Sequence, residues 1–362
     1  MKNKKSFLFA FLTVLISLVV TALGLEIIVR IVFFQPTGRT AVPYEMRLSE
    51  LEGVEYELTP NREYRWKYGP RKLFERGFSI PVRINSDGYR GRELLDPKPG
   101  NHYRILALGD SFTLGVGVRE EDIWVTRLEN LIRTEKSSEL AKKYDVVEIV
   151  NTGVGGWDTL AEYHYLRQKG MKHNPDAIIL GFCVNDFQID FAEIWIDSEG
   201  MMRSRQKGKT RERFQGLLLK DNTSKKKWWE WIAENSHLIR WISSRDMIFQ
   251  SNPLMAQYGK REKRLVFRAV DKIHSIAKKA KIPLYICLFP YLEDTISGCD
   301  KQGLDELEEH CLALEIPVLR MDEALKGRRA EDLWVHPRDH HPNAVAHALY
   351  AEHIYKYFFV EK

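Results

Sequence analysis

Five short apolar segments, each followed by a segment with helical periodicity, constrain the fold of this chain more than any other feature. The sequence predicts strands at 103–108, 145–150, 176–183, 283–289 and 316–320. It predicts helices at 122–135, 158–170, 263–281, 302–314 and 343–358. Short, continuously apolar strands separated by helices are typical of a parallel sheet with helices on both faces. We therefore predict an α/β fold with a central parallel five-stranded sheet.

The first 34 residues differ in composition from the rest of the chain. Met1–Lys5 is basic, and no charged residue occurs from Ser6 to Leu25; after Glu26 an apolar stretch continues to Phe34, interrupted only by Arg30. A run of about 20 apolar residues can span a bilayer as a helix. We predict an uncleaved transmembrane anchor at 1–34, with a cleaved signal peptide as the alternative. The basic residues before the span predict a cytoplasmic N-terminus and an extracytoplasmic location for the rest of the chain.

Two further regions lie outside the alternation of strands and helices. Residues 35–100 are polar and rich in proline, which predicts a linker and then an elaboration packed on a main domain at 101–362. Residues 188–262 interrupt that domain, and we expect a helical insertion that forms a cap. We interpret the cap as structural, with incidental charge. Because 201–209 and 225–231 are rich in Lys and Arg, a cap that binds an anionic polymer or anionic lipid is the alternative.

The composition limits the partners and cofactors of this chain. The net charge is only +5 over 362 residues and no zinc-finger, RNP or repeat pattern occurs, so we predict no nucleic-acid partner. The four cysteines lack metal-binding spacing and there is no Gly-rich phosphate loop, so we predict no metal and no cofactor. Cys183 and Cys287 lie in apolar strands and are interpreted as core thiols. Cys299 and Cys311 either form a disulfide, which an extracytoplasmic compartment permits, or remain free.

Four polar blocks contain the candidate chemistry: Gly109–Thr113, Asn151–Asp158, Gly181–Asp186 and Asp339–Asn343. The first two follow predicted strands and the third spans the end of one, and ligands of a parallel sheet bind beyond the carboxyl ends of its strands. We therefore expect these loops to meet at one edge of the sheet. A serine is a weak nucleophile unless a base, oriented by a third group, removes its proton. The blocks supply Ser, Asp and His, in that order along the chain.

These four blocks resemble those of the GDSL or SGNH hydrolase family. The resemblance covers residues 85–360 apart from the insertion, and it implies a three-layer, flavodoxin-like sandwich, the SGNH hydrolase fold. It implies a catalytic triad, in which Ser111 is the nucleophile, His341 is the general base and Asp339 orients the imidazole ring.

The resemblance also implies an oxyanion hole. Its donors would be the backbone N–H groups of Ser111 and Gly156 and the side-chain amide of Asn185. Gly156 occupies the position of the family's named glycine, although Gly153 and Gly155 lie close enough to shift this register. Fixed donors of this kind stabilise the negative charge that develops on a carbonyl oxygen during acyl transfer.

The fourth block departs from the family pattern in two ways. The acid stands two residues before the base, whereas many relatives have it three residues before, where this chain has Arg338. His340 is adjacent to His341 and is an alternative base. We prefer His341 because it precedes Pro-Asn, as the family's base does.

We therefore predict an extracytoplasmic serine esterase that hydrolyses O-acyl esters, in particular acetyl esters, on carbohydrate. Trp157 would lie near the site and stack on sugar rings. The alternatives are an O-acetyltransferase acting on exported polysaccharide, a lipase or lysophospholipase, and a non-catalytic carbohydrate-binding module. The last would typically have lost a member of the triad.

Overall fold

The computed structural model describes residues 2–32, 46–69, 76–135, 138–188, 192–196, 202–206, 236, 260–292, 301–337 and 339–360. Its strands are β1 Met46–Leu48, β2 Tyr56–Leu58, β3 Arg62–Tyr68, β4 Phe78–Ile84, β5 His102–Gly109, β6 Val146–Asn151, β7 Ala177–Cys183, β8 Ala192–Ile196, β9 Met202–Gln206, β10 Leu284–Phe289, β11 Val318–Arg320, β12 Trp334–His336 and β13 Asp339–Pro342. Its helices are α1 Lys2–Val32, α2 Ser111–Leu114, α3 Trp124–Thr134, α4 Glu139–Lys143, α5 Thr159–Gln168, α6 Lys260–Ala280, α7 Lys301–Ala313 and α8 Ala344–Ile354.

The central sheet confirms the predicted fold class. Its five parallel strands lie in the order β11-β10-β7-β5-β6. Numbered along the chain, this is the 2-1-3-4-5 order of flavodoxin-like sheets, in which ligands bind where the strand order reverses. That point lies between β5 and β7, so the loops after these two strands are neighbours.

Apolar burial explains why these five segments form the sheet. Every residue of β7 is buried, and so are the last six residues of β5. On the helical layers, α3 packs against α8 and β6, while α5 packs against α6. Strands covered on both faces must be apolar throughout, and this is why they read as continuous apolar runs in the sequence.

The segment before the sheet is more ordered than its proline-rich sequence suggests. β1 pairs with β2 in antiparallel orientation, and β3 is hydrogen-bonded to β4 in a second two-stranded sheet. Tyr56, Leu58, Val82 and Ile84 are buried in the same hydrophobic cluster as the sheet. The part of this segment at 46–66 and 79–100 therefore belongs to the compact unit that contains the sheet.

The helical insertion expected at 188–262 falls mostly outside the described residues. Its first part contains β8 and β9, which pair as an antiparallel hairpin. The Ile and Trp residues of β8 are typical of strands. Cys183, Cys287 and Cys311 are buried free thiols, while Cys299 lies outside the described residues.

The N-terminal helix belongs to a second compact unit, whose other described residues are 67–69, 76–78 and Ser236. Its segment Phe9–Ile28 has a mean hydropathy of 2.4 and none of it is buried. Within this unit, the Ser236 hydroxyl donates a hydrogen bond to the Glu26 carboxylate at 2.8 Å. A helix of this length and composition can cross a membrane, and an N-terminal signal sequence has the same properties.

A buried ion pair fixes the start of β5. Arg104 is fully buried and donates to the Glu148 carboxylate of β6 at 2.7 Å and to the carbonyl oxygens of His173 and Leu95. Arg104→Met is expected to lower the free energy of unfolding by about 3–5 kcal/mol, because Glu148 is left buried without its cation. Urea unfolding measures this loss.

The control for this prediction is Arg329→Met. It removes an exposed pair with Asp332, in which the side chains are 76% and 56% exposed. Its unfolding midpoint is expected to stay near that of the wild type, since exposed ion pairs contribute little. Similar midpoints for both variants would show that the Arg104 pair does not stabilise the fold.

Candidate active site

Ser111 is presented by a sharp turn at the end of β5. The strand ends at Gly109, which has φ +153°, and a Cβ there would lie 2.1 Å from Oγ1 of Thr113. Asp110 caps α2 by accepting a hydrogen bond from the N–H of Phe112 at 2.8 Å. Asp110 is thus the capping residue, and Ser111 is the first residue of the helix.

The structure brings Ser111, His341 and Asp339 together. Oγ of Ser111 lies 2.9 Å from Nε2 of His341. Nδ1 of His341 lies 2.5 Å from Oδ1 of Asp339. Each ring nitrogen therefore has one partner, the serine hydroxyl on one side and the carboxylate on the other. This is the geometry in which a neutral imidazole can take a proton from a serine.

Strand geometry explains why an acid two residues before the base can contact it. Asp339 and His341 both lie in β13, and side chains two residues apart in a strand lie on the same face. His340 lies on the other face, where its ring stacks on Trp334 with a centroid distance of 3.8 Å. The structure therefore brings His341, and not His340, to Ser111.

The electrostatic surroundings of His341 increase the proton affinity of its imidazole ring. Burial lowers the pKa of its imidazole, but the hydrogen bond to Asp339, its negative charge and the charge of Asp110 outweigh this effect. The net result is a pKa above the usual 6.5. The ring is therefore more basic than an isolated histidine, which suits a general base.

Asp110 is a further residue of the site and is not among the site residues expected from the sequence. Its buried carboxylate accepts a hydrogen bond from the Asn185 side-chain amide at 2.9 Å, and its Oδ2 lies 3.3 Å from Oγ of Ser111. Burial raises the pKa of Asp110, and these hydrogen bonds partly oppose that rise. Its position inside the Gly-Asp-Ser motif is the sequence feature that could have indicated a role in the site. Asp110 links the loop after β5 to the loop after β7.

The Asn151–Asp158 loop packs directly on α2. The Asn151 amide donates to the Thr113 carbonyl at 2.8 Å, and a Cβ on Gly153 would lie 2.4 Å from the backbone nitrogen of Leu114. Gly153 is therefore needed for close packing. A Cβ on Gly155 would lie 3.8 Å from Cβ of Ser111, and Gly156 has φ +81°. The loop thus passes beside Ser111 at its Gly-Gly pair.

Trp157 does not face a substrate, so the expectation that it stacks on sugar rings is wrong. Only 4% of the residue is exposed, and its indole N–H donates to the Tyr56 carbonyl at 2.9 Å. The ring also packs on Tyr165, with a centroid distance of 5.3 Å. Trp157 is a core residue because β2 covers it.

Two buried carboxyl groups lie behind the loop after β7. Asp186 accepts a hydrogen bond from the Thr159 hydroxyl at 2.8 Å, and both carboxylate oxygens of Glu162 lack a partner among the described residues. Burial, and then the charge of neighbouring carboxylates, raises the pKa of both Asp186 and Glu162. The Thr159–Asp186 hydrogen bond joins α5 to the loop that contains Asn185. Within the described part of the chain, no cluster of three or more His, Cys, Asp or Glu residues could hold a metal ion.

Comparison with known proteins identifies relatives of this chain. A sequence profile of the GDSL-like lipase/acylhydrolase family matches residues 107–349. The comparison with curated proteins gives no match. Among solved structures, a lipase from goat rumen metagenome is 13% identical with a TM-score of 0.45, over 72% of this chain and 99% of that chain.

Two further solved structures are similar to this chain. A catalytic mutant of an acetylxylan esterase from Geobacillus stearothermophilus is 14% identical with a TM-score of 0.43, over 73% of this chain and 97% of that chain. A member of the lipolytic protein G-D-S-L family from Veillonella parvula DSM 2008 is 15% identical with a TM-score of 0.40, over 71% of this chain and 98% of that chain.

Proposed function

Because the chain belongs to the GDSL-like lipase/acylhydrolase family and is an ester hydrolase, we propose that it cleaves esters with a Ser111–His341–Asp339 triad. The observation that supports this proposal is the continuous contact from the Ser111 hydroxyl through both nitrogens of His341 to the Asp339 carboxylate. A non-catalytic binding module would not need this alignment.

In the proposed reaction, Nε2 of His341 takes the hydroxyl proton of Ser111 while Oγ forms a bond to the ester carbonyl carbon. The carbonyl oxygen becomes negatively charged. The backbone N–H groups of Ser111 and Gly156 and the amide of Asn185 would donate to it. As the C–O bond to the alcohol breaks, His341 gives its proton to the leaving oxygen.

The second half of the reaction repeats these proton transfers with water. His341 removes a proton from a water molecule, whose oxygen bonds to the carbonyl carbon of the acyl-serine. The bond between that carbon and Oγ of Ser111 then breaks, and the proton returns to Ser111. The carboxylic acid and the free enzyme are the products.

We propose a membrane-anchored enzyme whose catalytic part faces outward and whose substrate is an O-acetylated carbohydrate. The support is the apolar segment Phe9–Ile28 with basic residues before it, which favours a cytoplasmic N-terminus. This orientation would place the domain among exported carbohydrates. Protease added to spheroplasts should then digest the catalytic domain, and protection of the domain would contradict this location.

The direct test compares p-nitrophenyl acetate, butyrate and octanoate with an acetylated oligosaccharide, using the full chain in detergent and Ser111→Ala as its control. We expect hydrolysis to be fastest for acetyl esters and to fall to the buffer rate in Ser111→Ala. A maximum at octanoate would contradict the acetyl preference and favour a lipase. Acetate transfer to added sugar without release of acetate would indicate an acetyltransferase. Equal rates in both proteins would contradict the proposed triad.

A further inference from the structure

Tyr56 joins the N-terminal segment to the Gly-Gly pair beside Ser111. It lies in β2, outside the residues matched by the family profile, and is only 3% exposed. Its hydroxyl donates a hydrogen bond to the Gly155 carbonyl at 3.0 Å. In return, the indole N–H of Trp157 donates to the Tyr56 carbonyl at 2.9 Å. These two hydrogen bonds hold the loop on both sides of Gly156.

The hydrogen bond to the Gly155 carbonyl also fixes the direction of the Gly156 N–H. The two groups belong to the same planar peptide unit, and in a trans peptide the C=O and N–H point in opposite directions. A carbonyl turned toward Tyr56 therefore turns the N–H away from it. Because Gly156 has φ +81°, its backbone is in a region that few other residues adopt without strain.

The Gly156 N–H is free to bind a ligand. Among the described residues, it has no hydrogen-bond partner. The preceding residue, Gly155, faces the nucleophile, since a Cβ built on it would be 3.8 Å from Cβ of Ser111. Burial raises the pKa of the Tyr56 hydroxyl, and the charges of nearby acidic side chains raise it further. The hydroxyl therefore keeps its proton at neutral pH and can donate a hydrogen bond.

We propose that Tyr56 is a positioning residue for the oxyanion hole, which orients the Gly156 N–H by holding the Gly155 carbonyl. Tyr56 itself does not touch the substrate. This inference rests on the proposed function, because it assumes that the reacting carbonyl oxygen is bound beside Ser111. It also gives the N-terminal segment a role in catalysis.

The test is Tyr56→Phe, which removes the hydroxyl and keeps the ring. The matched control is Tyr89→Phe, because Tyr89 is also buried in the N-terminal segment and its hydroxyl lies 2.6 Å from Nε2 of His173. We expect Tyr56→Phe to lower kcat by about 10- to 100-fold with little change in KM, since an oxyanion donor acts on the transition state. Tyr89→Phe should lower the melting temperature and leave kcat near that of the wild type.

The outcomes distinguish this inference from the proposed function. An equal kcat for Tyr56→Phe and Tyr89→Phe, while Ser111→Ala is inactive, would overturn the role of Tyr56 alone. Activity that persists in Ser111→Ala would overturn both proposals. A lower kcat in Tyr56→Phe, with a wild-type pH dependence, would support the inference because His341 would then be intact and only the oxyanion hole impaired.

Discussion

His341→Ala is expected to lower kcat for ester hydrolysis by roughly 10⁵- to 10⁶-fold, the scale seen when a triad base is removed. The imidazole lies 2.9 Å from the Ser111 hydroxyl. Asp110 also lies near this hydroxyl, but its carboxylate already accepts hydrogen bonds from Asn185 and Phe112, so we do not expect it to replace the imidazole as the base. Without a base, the hydroxyl keeps its proton and attacks the ester slowly. Steady-state hydrolysis of p-nitrophenyl acetate, with melting temperatures to check folding, measures the loss.

Two controls make this prediction specific to His341. The double variant Ser111→Ala with His341→Ala should be no slower than either single variant, because the two residues act in the same step. His340→Ala removes a neighbouring imidazole that stacks on Trp334 and should leave kcat close to that of the wild type. A large loss of kcat in His340→Ala, with little loss in His341→Ala, would show that our proposal assigns the base to the wrong residue.

The sheet was predictable because its physical signal is local. Each central strand is a short apolar run, and burial on both faces requires that composition at almost every position. The N-terminal segment was harder to interpret. β1 and β2 have three residues each, too few to show an alternating pattern. Their buried residues Met46, Tyr56 and Leu58 pack in a cluster with residues distant in sequence.

The candidate site was predictable where a residue's role depends on its own block. Ser111 and His341 were identified from short motifs, and the structure places them in contact. Roles that depend on contacts between blocks were not visible in the sequence. Asp110 matters through its hydrogen bond to Asn185, 75 residues further along the chain. The burial of Trp157 likewise depends on a strand about 100 residues earlier in the chain, which its own block does not show.

Asp339→Asn is expected to lower kcat by about 10⁴-fold, although asparagine has nearly the same shape as aspartate. Asp339 contacts Nδ1 of His341, and we propose that it holds the tautomer in which Nε2 accepts the Ser111 proton. An asparagine amide can stabilise the opposite tautomer, and it has no charge to stabilise the imidazolium that forms during attack. The control is Asp332→Asn, which alters an exposed carboxylate paired with Arg329.

The same variant should shift the pH dependence in a direction fixed by the structure. His341 must be neutral to accept a proton, so kcat/KM falls as the pH drops through its pKa. Burial lowers that pKa, but Asp339, through its hydrogen bond and charge, raises it above 6.5, and the wild type should therefore be half-maximal above pH 6.5. In Asp339→Asn the effect of burial remains and the opposing contributions of Asp339 are lost. The half-maximal pH should then fall, while that of Asp332→Asn stays with the wild type. If the residual activity of Asp339→Asn keeps the wild-type acid limb, Asp339 does not set the basicity of His341, and another group must orient the base.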